Sequence, residues 1–182
     1  MDFIRSSIGG LIVCLAAASG WPLAGAETFR VATYNLNNYL EQPVGTRPAK
    51  SPTGKAKIRE SLRAIRADVL ALQEMGSPSA LRELRASLKA EGLDYPHFEF
   101  IAAFDTNIHV AVLSKFPFTA CRPQTNDNFL LSGRRFRVSR GFAEVDIKVN
   151  PNYSFTLITA HLKSRRPVPE ADEAELRLEE AK

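Results

Sequence analysis

Three side chains that could take part in hydrolytic chemistry each follow an apolar run of the sequence: Asn35, Glu74 and His161. An ionised carboxylate beside a buried strand needs a cation or strong hydrogen bonds to offset its desolvation. A hard, oxygen-binding metal ion would supply that cation for Glu74. Strand ends are also where α/β folds gather their catalytic groups. The three residues therefore indicate a candidate hydrolytic centre.

Each of these residues also has an ordinary structural explanation. Asn35 taken alone is more typical of a turn than of a ligand. Glu74 taken alone is as compatible with an ion pair to Arg or Lys as with a metal ion, and an isolated histidine such as His161 is more often structural than catalytic. The functional interpretation depends on the coincidence of all three at strand ends.

The elements that would position these residues alternate between strands and helices. Residues 68–73 are apolar on both faces, which is typical of a central strand covered on both sides. Apolar spacing and turn residues predict strands over 29–37, 68–73, 97–104, 109–115, 136–149 and 155–162, with helices over 55–66, from Pro78 to a stop at Gly92, and over 171–182. This alternation predicts an α/β or α+β fold.

Residues 1–26 have the features of a secretory signal peptide. Arg5 precedes a short apolar run, and small residues lead to Ala26, where we expect cleavage. The run is shorter than the ~20 apolar residues that a membrane span requires. We therefore expect no stable membrane span, a secreted or periplasmic protein, and one folded domain over residues 27–182.

Composition narrows the class of protein further. The chain has 182 residues, 45% of them hydrophobic, and a formal net charge of +4, which is typical of a globular domain with a mild preference for acidic partners. Its cysteines are Cys14 and Cys121. Because the first lies in the predicted signal peptide, neither an intramolecular disulfide nor a cysteine-rich zinc module is expected.

Four blocks carry a resemblance to a known family. In order, they are ATYNLN (32–37), DVLALQE (68–74), VAVLSK (110–115) and TAHLKS (159–164). Their order and spacing resemble the endonuclease/exonuclease/phosphatase superfamily of metal-dependent phosphoesterases, with only its N-terminal part represented. The resemblance implies two mixed β-sheets packed face to face with helices outside, a four-layer sandwich, and cleavage of phosphate esters with a divalent metal ion.

The resemblance also assigns roles to individual residues. It makes Glu74 the principal metal ligand and Asn35 a second polar group holding metal or phosphate, with Mg²⁺ (or Mn²⁺ or Ca²⁺) as cofactor. It makes His161 a catalytic residue that stabilises the transition state or protonates the leaving group. Arg140 and Lys163 are assigned to phosphate binding, and a solvated surface position remains the alternative for Arg140.

Two blocks of the superfamily are missing from this sequence. Neither its Gly-Asp-x-Asn block nor its terminal Asp-His block occurs, and the last predicted helix reaches Lys182 without a stop signal. We therefore expect a domain truncated at its C-terminus, with the general base and the second histidine beyond Lys182. Residues 27–182 alone are accordingly expected to be poorly soluble and inactive.

These observations predict a secreted, divalent-metal-dependent phosphodiesterase, with an endonuclease or exonuclease as the first candidate. Basic residues before one strand and after another would form a phosphate-attracting rim, which suits nucleic acid. A hydrolase of phospholipids or other small phosphoesters is the alternative. A catalytically inactive fragment or binding module is the alternative from a different class. A phosphate-ester substrate is the expected partner, and no protein partner is implied.

Overall fold

A computed structural model describes residues 28–164 and 173–182 of the chain. The predicted signal peptide and the basic pair Arg165 and Arg166 lie outside these residues. Where the chain is described, no helix is long and apolar enough to cross a membrane.

The first sheet has four strands and is mixed. Its order is β1-β2-β4-β3, with β1 parallel to β2 and both other pairings antiparallel. Because β1 and β2 run in the same direction, the side chains at their carboxyl ends reach the same edge. The strands are β1 (Val31–Tyr39), β2 (Val69–Met75), β3 (His97–Ile101) and β4 (His109–Ser114).

Two helices cover one face of this sheet. Helix α1 (Pro52–Ile65) begins at the N-cap Ser51, and helix α2 (Pro78–Ala90) begins at the N-cap Ser77, each with proline in its first turn. The predicted start of the second helix is confirmed, whereas the first begins three residues earlier than the expected Lys55. The apolar sides of both helices pack against the sheet in one buried cluster.

A second sheet packs on the opposite face. It has the order β5-β8-β9 and is antiparallel throughout its described strands: β5 (Phe118–Cys121), β8 (Phe142–Asn150) and β9 (Tyr153–Ala160). Val110 and Val112 of β4 meet Val145 and Ile147 of β8 in a second buried cluster. The predicted face-to-face packing of two sheets with helices outside is confirmed, although this second sheet is antiparallel and not mixed where it is described.

A separate hairpin interrupts the strand expected over 136–149. Strands β6 (Asn128–Leu131) and β7 (Arg134–Arg137) pair with each other, and the chain then turns before β8 begins at Phe142. The turn includes Gly141, whose φ is +63° and where a Cβ would lie 2.4 Å from the Gln124 carbonyl oxygen. Helix α3 (Glu173–Glu180) packs beside β6.

The outer face of the second sheet carries no helix among the described residues. Ile158, on β9, is 66% exposed there. The described residues therefore contain three of the four expected layers, and α3 lies at the side of the sandwich against the hairpin.

Candidate functional site

Two irregularities in the first sheet shape the candidate site. Pairing between β1 and β2 jumps from Asn35–Gln73 to Tyr39–Met75, so β1 bulges by two residues. Pairing between β2 and β4 is also irregular around Glu74. Bulges re-aim side chains beside functional sites. Here they give Asn37, Asn38 and Glu74 left-handed backbones, with φ of 52°, 58° and 59°.

The Glu74 carboxylate is held by neutral donors. Oε1 accepts a hydrogen bond from Asn35 Nδ2 at 3.0 Å, and Oε2 accepts one from the Asn38 backbone N–H at 2.8 Å. Its side chain is 18% exposed, and in the described part of the chain no Arg or Lys forms an ion pair with it. The ion-pair explanation left open by the sequence is therefore not what these residues show.

Asn35 makes a turn contact and also touches Glu74. Its Oδ1 accepts a hydrogen bond from the Asn37 backbone N–H at 2.8 Å, the contact of a turn-forming asparagine. Its Nδ2 meanwhile orients Glu74. The carbonyl oxygen retains a second lone pair, so the same group can still serve as a ligand.

His161 stands directly after β9 and faces Glu74 from the second sheet. Its Nε2 lies 3.7 Å from Glu74 Oε1, and its side chain is 18% exposed. Burial lowers the pKa of His161 below its usual range, the nearby positive charge of Arg140 lowers it further, and the Glu74 charge opposes both. The imidazole is therefore neutral near pH 7. Its Nδ1 is buried and has no hydrogen-bond partner among the described residues.

Arg140 lies next to this histidine and ties the end of β9 in place. Its Nη1 donates hydrogen bonds to the carbonyl oxygens of His161 at 3.3 Å and Leu162 at 3.2 Å. Its Nε lies 3.6 Å from Asp105 Oδ2, and the side chain is 10% exposed. The Arg140 guanidinium is thus largely buried beside His161, and Arg140 is not a solvated surface residue.

Lys163 is placed beyond the central cluster. Its backbone N–H donates a hydrogen bond to the Glu180 carboxylate, and its Nζ donates one to the Ser164 carbonyl oxygen at 3.0 Å. The side chain lines a groove between the hairpin and α3. The structure therefore brings Asn35, Glu74, His161 and Arg140 together and leaves Lys163 at the side.

A buried amide joins the two sheets beneath the site. Gln73 Nε2 donates hydrogen bonds to Thr33 Oγ1 at 2.9 Å and to Thr159 Oγ1 at 3.2 Å. Gln73 precedes Glu74 directly, and Thr159 precedes His161 by two residues. The network therefore sets how closely the carboxylate and the imidazole approach across the sheets.

The donor set fits a magnesium-like ion. Mg²⁺ uses one or two protein carboxylates and retains several waters, and the half-buried Glu74, which has no Lys or Arg partner in the described part of the chain, offers such a ligand. The Asn35 atom that touches Glu74 is the donor Nδ2, and its Oδ1 accepts a hydrogen bond from the Asn37 N–H. No cluster of three or more His, Cys, Asp or Glu residues that could hold a metal ion occurs within 28–164 and 173–182.

Sequence reasoning missed three residues of this site: Asn38, Gln73 and Asp105. The Asn37-Asn38 pair carried a signal, because asparagine tolerates the left-handed backbone better than most residues. Gln73 belonged to the DVLALQE block that carried the family resemblance, but its contact with Thr159 of a distant strand could not be predicted. Asp105 carried no signal, because it reaches Arg140 from a distant loop.

A family profile matches most of the chain. The sequence profile of the Endonuclease/Exonuclease/phosphatase family matches residues 32–181. The chain belongs to this family. The resemblance noted in the sequence is thereby confirmed. No curated protein sequence matches the chain significantly.

Solved structures with this fold are similar at low sequence identity. A β-hairpin deletion mutant of beta toxin from Staphylococcus aureus superimposes with a TM-score of 0.59 at 15% identity, over 84% of this chain and 58% of the toxin. A beta toxin mutant with bound magnesium ions gives 0.55 at 16%, over 84% and 56%. The endonuclease/exonuclease/phosphatase from Beutenbergia cavernae gives 0.55 at 18%, over 82% and 42%. The chain thus spans about half the length of these structures.

Proposed function

We propose that this protein is a divalent-metal-dependent phosphodiesterase that acts first of all on nucleic acid. The observation that carries the proposal is the half-buried Glu74 carboxylate, without a Lys or Arg partner where the chain is described, 3.7 Å from the His161 imidazole. A metal ion would compensate the negative charge of Glu74. The positive charge of Arg140 would attract the phosphate group of the substrate. The magnesium bound to a beta toxin mutant of the same fold supports the choice of ion.

Each residue then has a defined task. Glu74 and Asn35 would hold Mg²⁺, which, when bound, polarises a phosphoryl oxygen and stabilises negative charge. Arg140 would attract the phosphate by its positive charge, while its Nη1 stays bonded to the carbonyl oxygens of His161 and Leu162. His161 starts neutral, and an anionic phosphate beside it favours the protonated imidazole. The imidazolium can donate its proton to the oxygen of the leaving group.

The test combines metal binding with hydrolysis. Glu74→Gln removes the charge at nearly constant shape, so calorimetry should show loss of measurable Mg²⁺ binding while circular dichroism shows an unchanged fold. Glu60→Gln, at an exposed carboxylate of α1, is the matched control and should bind Mg²⁺ as the unaltered chain does. Unchanged Mg²⁺ affinity in Glu74→Gln would rule out the assignment.

Substrate panels separate the alternatives. The full chain is incubated with Mg²⁺ and plasmid DNA, single-stranded RNA, a phospholipid or a small phosphodiester. Cleavage of DNA or RNA that is lost in Glu74→Gln supports the nuclease. Cleavage of phospholipid or small esters alone supports the alternative hydrolase. Metal binding with no cleavage of any substrate would leave the inactive fragment or binding module.

We also propose that the chain is exported. The support is Arg5, the short apolar run and the small residues that end at Ala26. Expression with an export pathway, followed by N-terminal sequencing of the extracytoplasmic protein, should give Glu27 as the first residue. A full-length chain retained in the cytoplasm would contradict export.

A further inference from the structure

A groove lies beside the cluster of Asn35, Glu74, His161 and Arg140, and the proposed function does not yet use it. It has a volume of about 490 Å³ and lies between the β6–β7 hairpin, α3 and the loop after β3. We call it the aromatic groove. Its rings come from Phe104, Phe129 and Phe136, and its cationic side chains include Arg135 and Arg137.

We propose that the aromatic groove binds the unpaired bases and flanking phosphates of a single-stranded nucleic acid whose scissile phosphate lies at Glu74 and His161. This inference rests on the nuclease function proposed above and specifies its substrate. Proteins that bind single strands combine aromatic stacking platforms with a positively charged track for the backbone. The groove contains both.

The rings of the groove are available for stacking. Phe104 is 64% exposed, which is unusual for a phenylalanine. The guanidinium carbon of Arg137 lies 5.8 Å from the Phe104 ring centroid. On the hairpin, Phe129 and Phe136 stack with centroids 5.9 Å apart and an interplanar angle of 16°. A base of the nucleic acid would stack on these rings and extend the existing stacking.

The charge of the groove suits a phosphate backbone. Arg135 and Arg137 are exposed residues of β7, and Lys163 also lines the groove. The carboxylate that lines it belongs to Glu180, which is 7% exposed and accepts a hydrogen bond from the Lys163 backbone N–H. The accessible part of the lining is therefore positive.

Residues that line the groove are close neighbours in the chain of Arg140 and His161. Ser139 lines the groove and precedes Arg140, and its carbonyl oxygen accepts a hydrogen bond from the Asp105 backbone N–H at 2.6 Å. Lys163 follows His161 by two residues, a chain span of at most about 7 Å. A nucleotide adjoining the reacting phosphate would thus reach the groove.

A lipid surface would require a different lining. Tyrosine and tryptophan are enriched where proteins meet the membrane–water interface. Neither residue type lines the aromatic groove. Its rings instead lie among arginines, and Arg137 is at cation–π distance from Phe104, 5.8 Å from the ring centroid. These arginines interrupt the contiguous apolar surface that acyl chains would need.

Binding without chemistry tests the proposal. Fluorescence anisotropy measures binding of the full chain to a labelled oligothymidylate of about 12 nucleotides, within the range of known single-strand sites, with EDTA to prevent cleavage. Phe104→Ala should weaken binding about 5- to 150-fold, and Phe104→Trp should restore it. Arg137→Ala should also reduce the dependence of affinity on salt.

The chain offers a matched control. Phe98 is another exposed phenylalanine, 43% exposed, with the Arg85 guanidinium 3.8 Å from its ring centroid, and it lies outside the groove on β3. Phe98→Ala should leave oligonucleotide affinity unchanged. Equal affinities of Phe104→Ala and Phe98→Ala would overturn the proposal, as would binding of phosphatidylglycerol vesicles through Phe104 without oligonucleotide binding.

A small diester substrate separates failure of the groove proposal from failure of the phosphodiesterase proposal. Magnesium-dependent hydrolysis of bis(p-nitrophenyl) phosphate by the unaltered chain reports the phosphodiesterase alone. If that hydrolysis occurs and the oligonucleotide does not bind, the groove proposal is wrong and the phosphodiesterase stands. If the oligonucleotide binds through Phe104 and no diester is hydrolysed, the groove proposal stands and this chain acts as a single-strand binding module.

Discussion

The buried Gln73 amide should determine both the stability of the sandwich and the geometry of its site. Gln73 is 9% exposed and bonds to Thr33 on the neighbouring strand and to Thr159 on the other sheet. Gln73→Leu keeps the volume nearly constant and removes the hydrogen bonds to both threonines, together with a long one to the Ala71 carbonyl oxygen at 3.5 Å. The change isolates the polar link between the sheets from the packing around it.

The expected loss of stability follows from Thr159 and Thr33, which both lose their hydrogen bonds to Gln73. Thr159 is 7% exposed, so its hydroxyl would be left buried without a partner, which costs about 1–3 kcal/mol. Thr33 is exposed and can bond to water, so its share is smaller, about 0.5–1 kcal/mol. Greater burial of apolar surface by leucine offsets about 1 kcal/mol. The free energy of unfolding should fall by about 2 kcal/mol in total.

Urea and thermal unfolding followed by circular dichroism measure this change. A loss of that size lowers Tm by about 4–8 °C in a domain of this length. Adding Thr159→Val removes the stranded hydroxyl and should recover about 1 kcal/mol, so the double-mutant cycle should show coupling. A Gln73→Leu protein as stable as the unaltered chain, or zero coupling to Thr159, would refute the argument.

Two further predictions concern charged groups. His161→Ala should lower phosphodiester turnover by about 10²–10⁴-fold while Mg²⁺ affinity, measured by calorimetry, stays within a few fold; normal turnover would return His161 to a structural role. Asp146 has a pKa of about 2, because Arg122 and then Thr156 donate hydrogen bonds to its carboxylate. Its contribution to stability should therefore be complete above pH 3.8 and lost as pH falls towards 2. Carboxyl NMR should show this pKa rising towards 3.8 in Arg122→Ala and rising less in Thr156→Val; an unchanged value would exclude the ion pair as its cause.

Local patterns in the sequence predicted the main elements of the first sheet. The apolar run before Glu74 identified a central strand because it is buried on both faces, and Ser77-Pro78 located the start of α2 because capping chemistry is local. The hairpin was harder to predict. Residues 136–149 alternate in a way that fits one strand, and a period of two is unaffected when the chain leaves one sheet for another. Gly141 was the residue that carried the signal for the break.

The candidate site was predicted in part for the same reason. Asn35, Glu74 and His161 could be selected because each follows an apolar run, and the structure brings them together with Arg140. The roles of Asn35 and Glu74 as metal ligands, of His161 as proton donor and of Arg140 in phosphate binding remain predictions. The contacts that position them could not be predicted, because the Asn38 N–H reaches Glu74 through a bulge and Asp105 reaches Arg140 from a loop. Neither contact leaves a periodic pattern in the sequence.

The left-handed backbones at Asn37, Asn38 and Glu74 have a consequence for local opening. This backbone conformation destabilises a non-glycine residue by roughly 1–2 kcal/mol, and asparagine by less. The pairing of the surrounding strands therefore holds these three residues in a conformation that is locally unfavourable. Such a segment can open without unfolding of the core beneath it. Backbone amide exchange at Asn38 should accordingly be faster than at Leu72, although both lie within strands of one sheet. A ligand that engages Glu74 would be detected first as slower exchange at Asn38.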